Sequence, residues 1–258
     1  MGRRAIIAGA GALPLLVAAA GPAIVVRFAG APGGTDGADL VAQFERLGAL
    51  FADLKSHGVD ELCLAGAMRR VGFDQARLDA ETKALLPRLA TAMGQGDDAL
   101  LRSIVAIFEE QGFTIRGAHA LRPDLVARAG VLCGQAIATT DAARARGVLA
   151  AIGPLDVGQA AVAAQGQILG IETLQGTDAL LRFVGDTMPA SGGILVKRAK
   201  PGQDLRVDMP AIGPDTVALC AQAGLKGIEL QAEHVLLLDR DAVYAACAQH
   251  GINLWAVP

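Results

Sequence analysis

The chain has 258 residues, 52% of them apolar and only 3% aromatic, with 23 Lys and Arg against 26 Asp and Glu for a net charge of −3. That is enough small aliphatic residue for one large domain or two small ones, each with its own core. The charge shows none of the basic clustering that a nucleic-acid partner requires, so we expect no nucleic-acid partner.

The opening, "MGRRAIIAGAGALPLLVAAAGPAIVVRFAG", carries two arginines and then a long uncharged run. A secretory signal is one reading of it. Pro14, Pro22 and several glycines interrupt the run, and a β-branched segment, "AIVVRF", follows at once. The pattern therefore predicts strand, glycine turn, short helix and strand, the start of a parallel α/β sheet. "LGALFADLKSHG" is a helix stopped by Gly58, and "VDELCLAG" is a buried strand. "TKALLPRLATAM" is a helix. "GDDALLRSIVAIFEEQG" is another, with Asp97 and Asp98 capping its start, an apolar stripe through Leu100, Leu101, Ile104, Val105 and Phe108, and a stop at Gly112. "FTIRGAHAL" follows as a strand.

Farther on, "TTDAARARGVLAAIG" is a helix that we read as a connector. "AAVAAQGQILGIETL" is a hairpin turning at Gln165-Gly166. "GGILVKRAK" is a strand, "PDTVALCAQAG" a helix, "KGIELQAEHVLLLD" two short strands, "RDAVYAACAQHG" a helix and "INLWAV" a last strand. The expected organisation is α/β in two domains. Residues 1–128 form a Rossmann-like parallel domain, 129–154 a helical linker, and 155–258 a mixed α/β domain that carries the chemistry.

Four scattered cysteines, Cys63, Cys133, Cys220 and Cys247, contain no CxxC pair. They read as buried free thiols of a reducing cytosol rather than a zinc site or disulfide framework. His57, His119, His234 and His250 are isolated and read as structural. "GAGALP", with Gly9, Gly11, Leu13 and Pro14, can hold a phosphate where a strand gives way to a helix, or can simply be a tight turn. The densest polar region runs from Glu172 to Thr216. Glu172 ends a strand, and Gly176, Thr177 and Asp178 open a helix. Lys197, Lys200, Gln203, Asp204, Arg206 and Asp208 follow in or after the "GGILVKRAK" strand. "VDMP" is expected to be extended because Met209 precedes a proline, which would set Asp204, Arg206 and Asp208 on one face. Carboxylates in glycine turns suit a hard cation such as Mg²⁺ or Mn²⁺, and lysines beside them suit phosphate oxygens. The residues by themselves point to metal-assisted phosphoryl chemistry. A nucleotide- or lipid-binding α/β protein without turnover is the alternative class. An NAD-dependent oxidoreductase is another, although the first turn lacks the third glycine of a dinucleotide fingerprint and the second strand ends in Arg27-Phe28 rather than an acid.

The stretches "IIAGAGALP", "GDDALLRSIVAIFEEQGFTIRGAH", "PLDVGQAAV", "ETLQGTDALL" and "GGILVKRAKPGQDLRVDMPAIGPDTV" follow one another across most of the chain. With them the sequence resembles a bacterial family of UDP-2,3-diacylglucosamine pyrophosphatases of lipid A synthesis, the metal-dependent type unrelated to calcineurin-like hydrolases. The resemblance implies two α/β domains holding the substrate between them, a homodimer, and cleavage to UMP and 2,3-diacylglucosamine 1-phosphate by attack at the phosphorus nearer the sugar. It also implies a cytoplasmic enzyme that meets its lipid substrate and product at the inner-membrane surface. By matched motif it implies that Asp208 is essential, and it extends to Asp178, Lys197 and Lys200. Taken with the residue reading, the expected site has Asp208 and Asp178 as catalytic groups, and Asp208, Asp178 and Glu172 as metal ligands. Its substrate contacts are Gly9, Gly11, Leu13, Pro14, Gly176, Thr177, Lys197, Lys200 and Gln203. The sequence departs from the family pattern at "LAGAMRRVGF", which lacks the usual proline, and in a short segment after His119.

Overall fold

The computed structural model describes residues 3–68, 72, 74–137 and 140–258. Arg69, Arg70, Val71 and Phe73 of the divergent "LAGAMRRVGF" stretch lie outside the described residues, as does Thr139 at the start of the expected connector helix. The chain divides into two compact units, Met1–Pro123 with Asp204–Asp208, and Asp124–Gln203 with Met209–Pro258.

In the first unit, β1 (Arg3–Ala8), α1 (Leu13–Ala18) and β2 (Ala23–Phe28) account for the opening stretch. Ala5 and Ile6 have no exposed surface, because β1 is paired in parallel on both sides, with β2 and with β4 (Val59–Ala65). A strand covered on both edges and both faces has no place for a charge, which is why the run after Arg4 is apolar. A short β3 (Leu40–Ala42), not expected from the sequence, adds to the edge beside β2. The helix α2 (Leu47–Ser56) ends where Gly58 takes φ +69. Asp79 caps α3 (Ala80–Met93) by accepting from the Thr82 amide at 2.7 Å.

The start of α4 (Asp97–Glu110) differs from expectation. Its N-cap is Gly96, at φ +115, with no side-chain capping bond. Asp97 and Asp98 sit inside the first turn, where the helix dipole favours anions, and Asp98 pairs with Arg102 at 2.5 Å. The strand expected over "FTIRGAHAL" is also shorter. β5 is only Thr114–Ile115, and α5 (Ala118–Leu121) follows directly. Among the described residues this sheet is five-stranded and parallel, in the order β3-β2-β1-β4-β5. Its core includes Val26, Phe28, Leu54, Leu62, Phe108 and Ile115. Each fully buried Leu there contributes about 1.5–3 kcal/mol of transfer free energy. Phe28 stacks on Phe44 at 4.2 Å between centroids.

The second unit begins with β6 (Gly130–Cys133) and α6 (Thr140–Ile152), then the hairpin β7 (Ala160–Ala164) and β8 (Gln167–Ile171). The hairpin turns where expected, with φ +51 at Gln165 and +75 at Gly166, the twist that suits a two-residue loop. There follow α7 (Thr177–Thr187), β9 (Ile194–Lys197), β10 (Ala211–Ile212), α8 (Pro214–Gln222), β11 (Gly227–Gln231), β12 (Leu236–Leu237), α9 (Arg240–His250) and β13 (Asn253–Val257).

Among the described residues the main sheet has six strands in the order β6-β13-β11-β9-β7-β8. It is mixed: β9, β11 and β13 run parallel, while β6, and β7 against both its neighbours, are antiparallel. Helices α7, α8 and α9 cover one face through Leu181, Val184, Val217, Cys220, Val243 and Cys247. Helix α6 covers the other, with Ala142, Ala145 and Leu149 against Ala161, Ala163, Val196 and Trp255. The stretch 129–154, expected as a linker, thus supplies a strand and a covering helix to this unit. Its alanines, which suggest a connector by composition, are the small side chains that let α6 pack closely on the sheet.

Candidate active site

In the second unit, β9 ends in Lys197, which is only 6% exposed. A lysine this buried needs polar partners. Its Nζ donates to Thr177 Oγ1 at 2.7 Å. The Thr177 hydroxyl in turn donates to Glu172 Oε2. Glu172, just after β8, is itself 7% exposed. Thr177 is the first residue of α7, and Gly176 precedes it at φ +84, a conformation that favours glycine. Gly158 lies so close to Glu172 that a Cβ there would sit 2.0 Å from the Glu172 carbonyl oxygen. The structure therefore brings together Glu172, Gly176, Thr177 and Lys197. Asp178 is the next residue, but its side chain is 57% exposed and faces Arg182 one turn on, at 3.9 Å.

Lys200, three residues beyond Lys197, has its own partners. Its ammonium pairs with the Asp156 carboxylate, and its backbone N–H donates to Gln203 Oε1 at 2.9 Å. Gln203 Nε2 reaches Gln159 Oε1 at 3.4 Å. Sequence reasoning missed Asp156 and Gln159, although both lie in the quoted "PLDVGQAAV" stretch. Asp156 adopts the left-handed conformation at φ +55, which a short polar side chain tolerates.

Asp208 belongs to the first unit, at the end of a turn rather than in an extended strand. The N–H groups of Val207 and Asp208 both donate to the Asp204 carbonyl, at 3.1 and 3.0 Å. Asp204 Oδ1 also accepts from the Arg206 backbone N–H at 3.0 Å. This side chain-to-backbone bond competes with extension and folds the segment into a turn. The expected ladder of Asp204, Arg206 and Asp208 on one face is therefore absent. The Arg206 guanidinium instead bridges Asp204 at 2.7 Å and Glu109 on α4 at 2.8 Å. Hydrogen bonding from Arg206 holds the Asp204 carboxyl below the usual range, against the opposing effect of burial. Val207 packs on the core of the same unit. Nearby, Gly117 admits no side chain, because a Cβ would meet the His119 ring at 2.4 Å and the Arg206 Cα at 3.0 Å. His119 Nδ1 is buried without a hydrogen-bond partner among the described residues.

The Gly9–Pro14 loop leaves the carboxyl end of β1, beside β4, where the strand order reverses. In open α/β sheets this is where ligands bind. The loop is bound to the one after β4: Gly9 N donates to Ala65 O, and Ala10 and Ala67 exchange two hydrogen bonds, all at 2.8–2.9 Å. A Cβ on Gly9 would come within 2.5 Å of Ala67 O, and one on Gly66 within 2.6 Å of Ala10 O. Gly9 is thus required for backbone approach, and its amide is already engaged. Gly11 takes φ +93, and Pro14 sits in the first turn of α1, whose first residue is Leu13. At the end of β2, Arg27 donates to Gly33 O at 3.1 Å, at the strand end where a ribose-binding acid would be needed for NAD.

Among the described residues no group of three or more His, Cys, Asp or Glu side chains is gathered in a way that could hold a metal ion. Nor, among them, is any helix long and apolar enough to cross a membrane.

Residues 3–125 match the family model of the LpxI N-terminal domain, and residues 128–255 that of the LpxI C-terminal domain. The chain is also 37% identical, over an alignment 283 positions long, to the UDP-2,3-diacylglucosamine pyrophosphatase LpxI of Caulobacter vibrioides, covering 100% of this chain and 98% of that protein.

Proposed function

The chain belongs to the LpxI family, and on that footing we propose that it hydrolyses UDP-2,3-diacylglucosamine to UMP and 2,3-diacylglucosamine 1-phosphate in lipid A biosynthesis. The observation that carries this reading is the match across both domains to a relative bearing that name. The buried Lys197 beside the opening of α7 supports it, because a cation and a helix N-terminus together favour a phosphate.

We assign Asp208 the central role, orienting the attacking water and accepting its proton. Lys197 and Lys200 offset negative charge on the pyrophosphate, Gly176 and Thr177 border it, and Gln203 holds the Lys200 loop. In the Gly9–Pro14 loop it is the exposed Gly11 that is open to a substrate, since Gly9 is buried against Ala67 with its amide bonded.

A divalent cation is part of the proposal. The carboxylate oxygens of Asp208 and of Asp178 are each hard donors suited to Mg²⁺ or Mn²⁺, and Mg²⁺ commonly takes only one or two protein carboxylates together with substrate phosphates; the two belong to different units, and Asp178 faces Arg182 at 3.9 Å. Glu172 fits less well, because one of its oxygens already accepts from Thr177, itself bonded to Lys197. When bound, such an ion lowers the pKa of water and neutralises charge on phosphoryl oxygens. We further propose a cytoplasmic homodimer that meets its acylated substrate at the inner-membrane surface.

Hydrolysis in ¹⁸O-water tests the direction of attack. Label in the sugar 1-phosphate is expected, and label in UMP would reject attack at the phosphorus nearer the sugar.

A further inference from the structure

We infer that Glu172 is a positioning residue for Lys197, acting through the Thr177 hydroxyl, rather than a metal ligand. The inference rests on the proposal that Lys197 meets a substrate phosphate. A threonine hydroxyl has one proton to give and lone pairs to receive with. Here the proton goes to the Glu172 carboxylate, which as an anion can only accept. The Thr177 oxygen is thereby turned to accept from Lys197 Nζ at 2.7 Å. The order is directional: the carboxylate sets the hydroxyl and the hydroxyl sets the ammonium.

Burial matches this order. Glu172 and Lys197 are 7% and 6% exposed, whereas Thr177, between them, is partly exposed at the start of α7. A lysine has a flexible stem and three donors. With one donor committed to Thr177, the ammonium is held toward Thr177 at the C-terminal end of β9. The backbone holds the other end of the arrangement, because Gly158 packs on Glu172 and the Glu172 N–H donates to Ala160 O at 2.8 Å. A metal on the Glu172 carboxylate would have to share it with this chain of donors.

The test compares Thr177→Val, which keeps the shape and removes the hydroxyl, with Thr177→Ser, which keeps the hydroxyl, and adds Glu172→Gln, the Glu172→Gln/Thr177→Val double variant and Lys197→Met. Steady-state kinetics with UDP-2,3-diacylglucosamine, the Mg²⁺ concentration for half-maximal rate, and calorimetric affinity for inorganic pyrophosphate are read on each, with melting temperature as the check on folding. Thr177→Val is expected to raise KM and weaken pyrophosphate binding about tenfold, the scale of a hydrogen bond to a charged group, and Thr177→Ser, which restores the hydroxyl, to recover most of that loss. Glu172→Gln is expected to move the same readouts in the same direction, to leave the Mg²⁺ requirement unchanged, and to add nothing to Thr177→Val. Three results would overturn the relay: Thr177→Ser as damaging as Thr177→Val, fully additive losses in the double variant, or a Glu172→Gln enzyme with a shifted Mg²⁺ requirement and unchanged pyrophosphate affinity. Wild-type KM and pyrophosphate affinity in Lys197→Met would overturn both this inference and the assignment of Lys197 to the phosphate. Failure confined to the Thr177 and Glu172 variants would leave that assignment standing.

Discussion

Adding one methyl group at Gly158 should cost both stability and activity, and the contact distances give the size of the effect. An alanine Cβ there would lie 2.0 Å from the Glu172 carbonyl oxygen, 2.7 Å from its carbonyl carbon and 3.2 Å from its Cβ. Normal contact between carbon and oxygen needs more than a further 1 Å, on the order of the united-atom optimum of about 3.5 Å. The obstruction is backbone, so no side-chain rotation relieves it. The strand end must move, which strains the Glu172 N–H bond to Ala160 O. Overpacking of this kind costs about 1–3 kcal/mol, and weakening a backbone hydrogen bond adds about 1 kcal/mol. For a chain of this length each kcal/mol lowers the melting temperature by about 2–4 °C, so Gly158→Ala should melt roughly 4–16 °C below wild type. A displacement near 1 Å at Glu172 should also raise KM by about tenfold, the loss expected when its link to Lys197 through Thr177 is broken. Gly147, in the exposed face of α6, is the control: nothing lies within 4 Å of its would-be Cβ, and Gly147→Ala should stabilise by about 0.5–1 kcal/mol. Calorimetric melts and initial rates of both variants settle the matter. A Gly158→Ala protein melting within about 1 °C of wild type would refute the steric reasoning.

Other perturbations follow from the same contacts. Glu229, 2% exposed, accepts from Arg146 at 2.6 Å and from Trp255 Nε1 at 3.0 Å beneath α6. Arg146→Met leaves that carboxylate without its guanidinium and should destabilise by about 3 kcal/mol in urea unfolding; no measurable change would show the pair to be idle. Because Asp204 titrates below its ordinary 3.8 in the folded chain, its stabilisation is present above that value and lost as pH falls through the folded pKa. The gap in stability between wild type and Asp204→Asn should therefore narrow below about pH 4, and a gap independent of pH would contradict the pairing with Arg206. Burial pushes the Cys63 and Cys247 thiols up to about 12 and the Cys220 thiol up as well. A thiol reagent at pH 8 should thus modify these three only after denaturant is added, and rapid labelling of any of them in the native protein would count against their burial.

Much of the fold was legible because the buried strands are short apolar runs punctuated by glycines at positive φ. Gly58, Gly166 and Gly224 each end or turn an element where the sequence places a stop. β3 was not legible, since three residues on a sheet edge carry no periodicity. The turn at Asp204–Asp208 was read as extended because the proline after Met209 favours that conformation locally. Asp204 overrides this bias two residues upstream by bonding the Arg206 backbone, a contact that composition does not announce. At the site, the residue types of Glu172, Thr177 and Lys197 were visible from the chain, but not their order of donation, because helix α7 and strand β9 carry the chain from Thr177 to Lys197. Asp156 was invisible as a partner for Lys200, 44 residues away, because nothing local marks a long-range ion pair.

The most direct test of the proposed function is release of UMP from UDP-2,3-diacylglucosamine by the purified chain in Mg²⁺ or Mn²⁺, resolved by chromatography, for wild type and Asp208→Ala side by side. The account predicts equimolar UMP and 2,3-diacylglucosamine 1-phosphate from wild type, and a fall in rate of at least about 10²-fold in Asp208→Ala with the melting temperature nearly unchanged. No UMP from wild type with any divalent metal, or an Asp208→Ala protein keeping more than about a tenth of the rate, would contradict it.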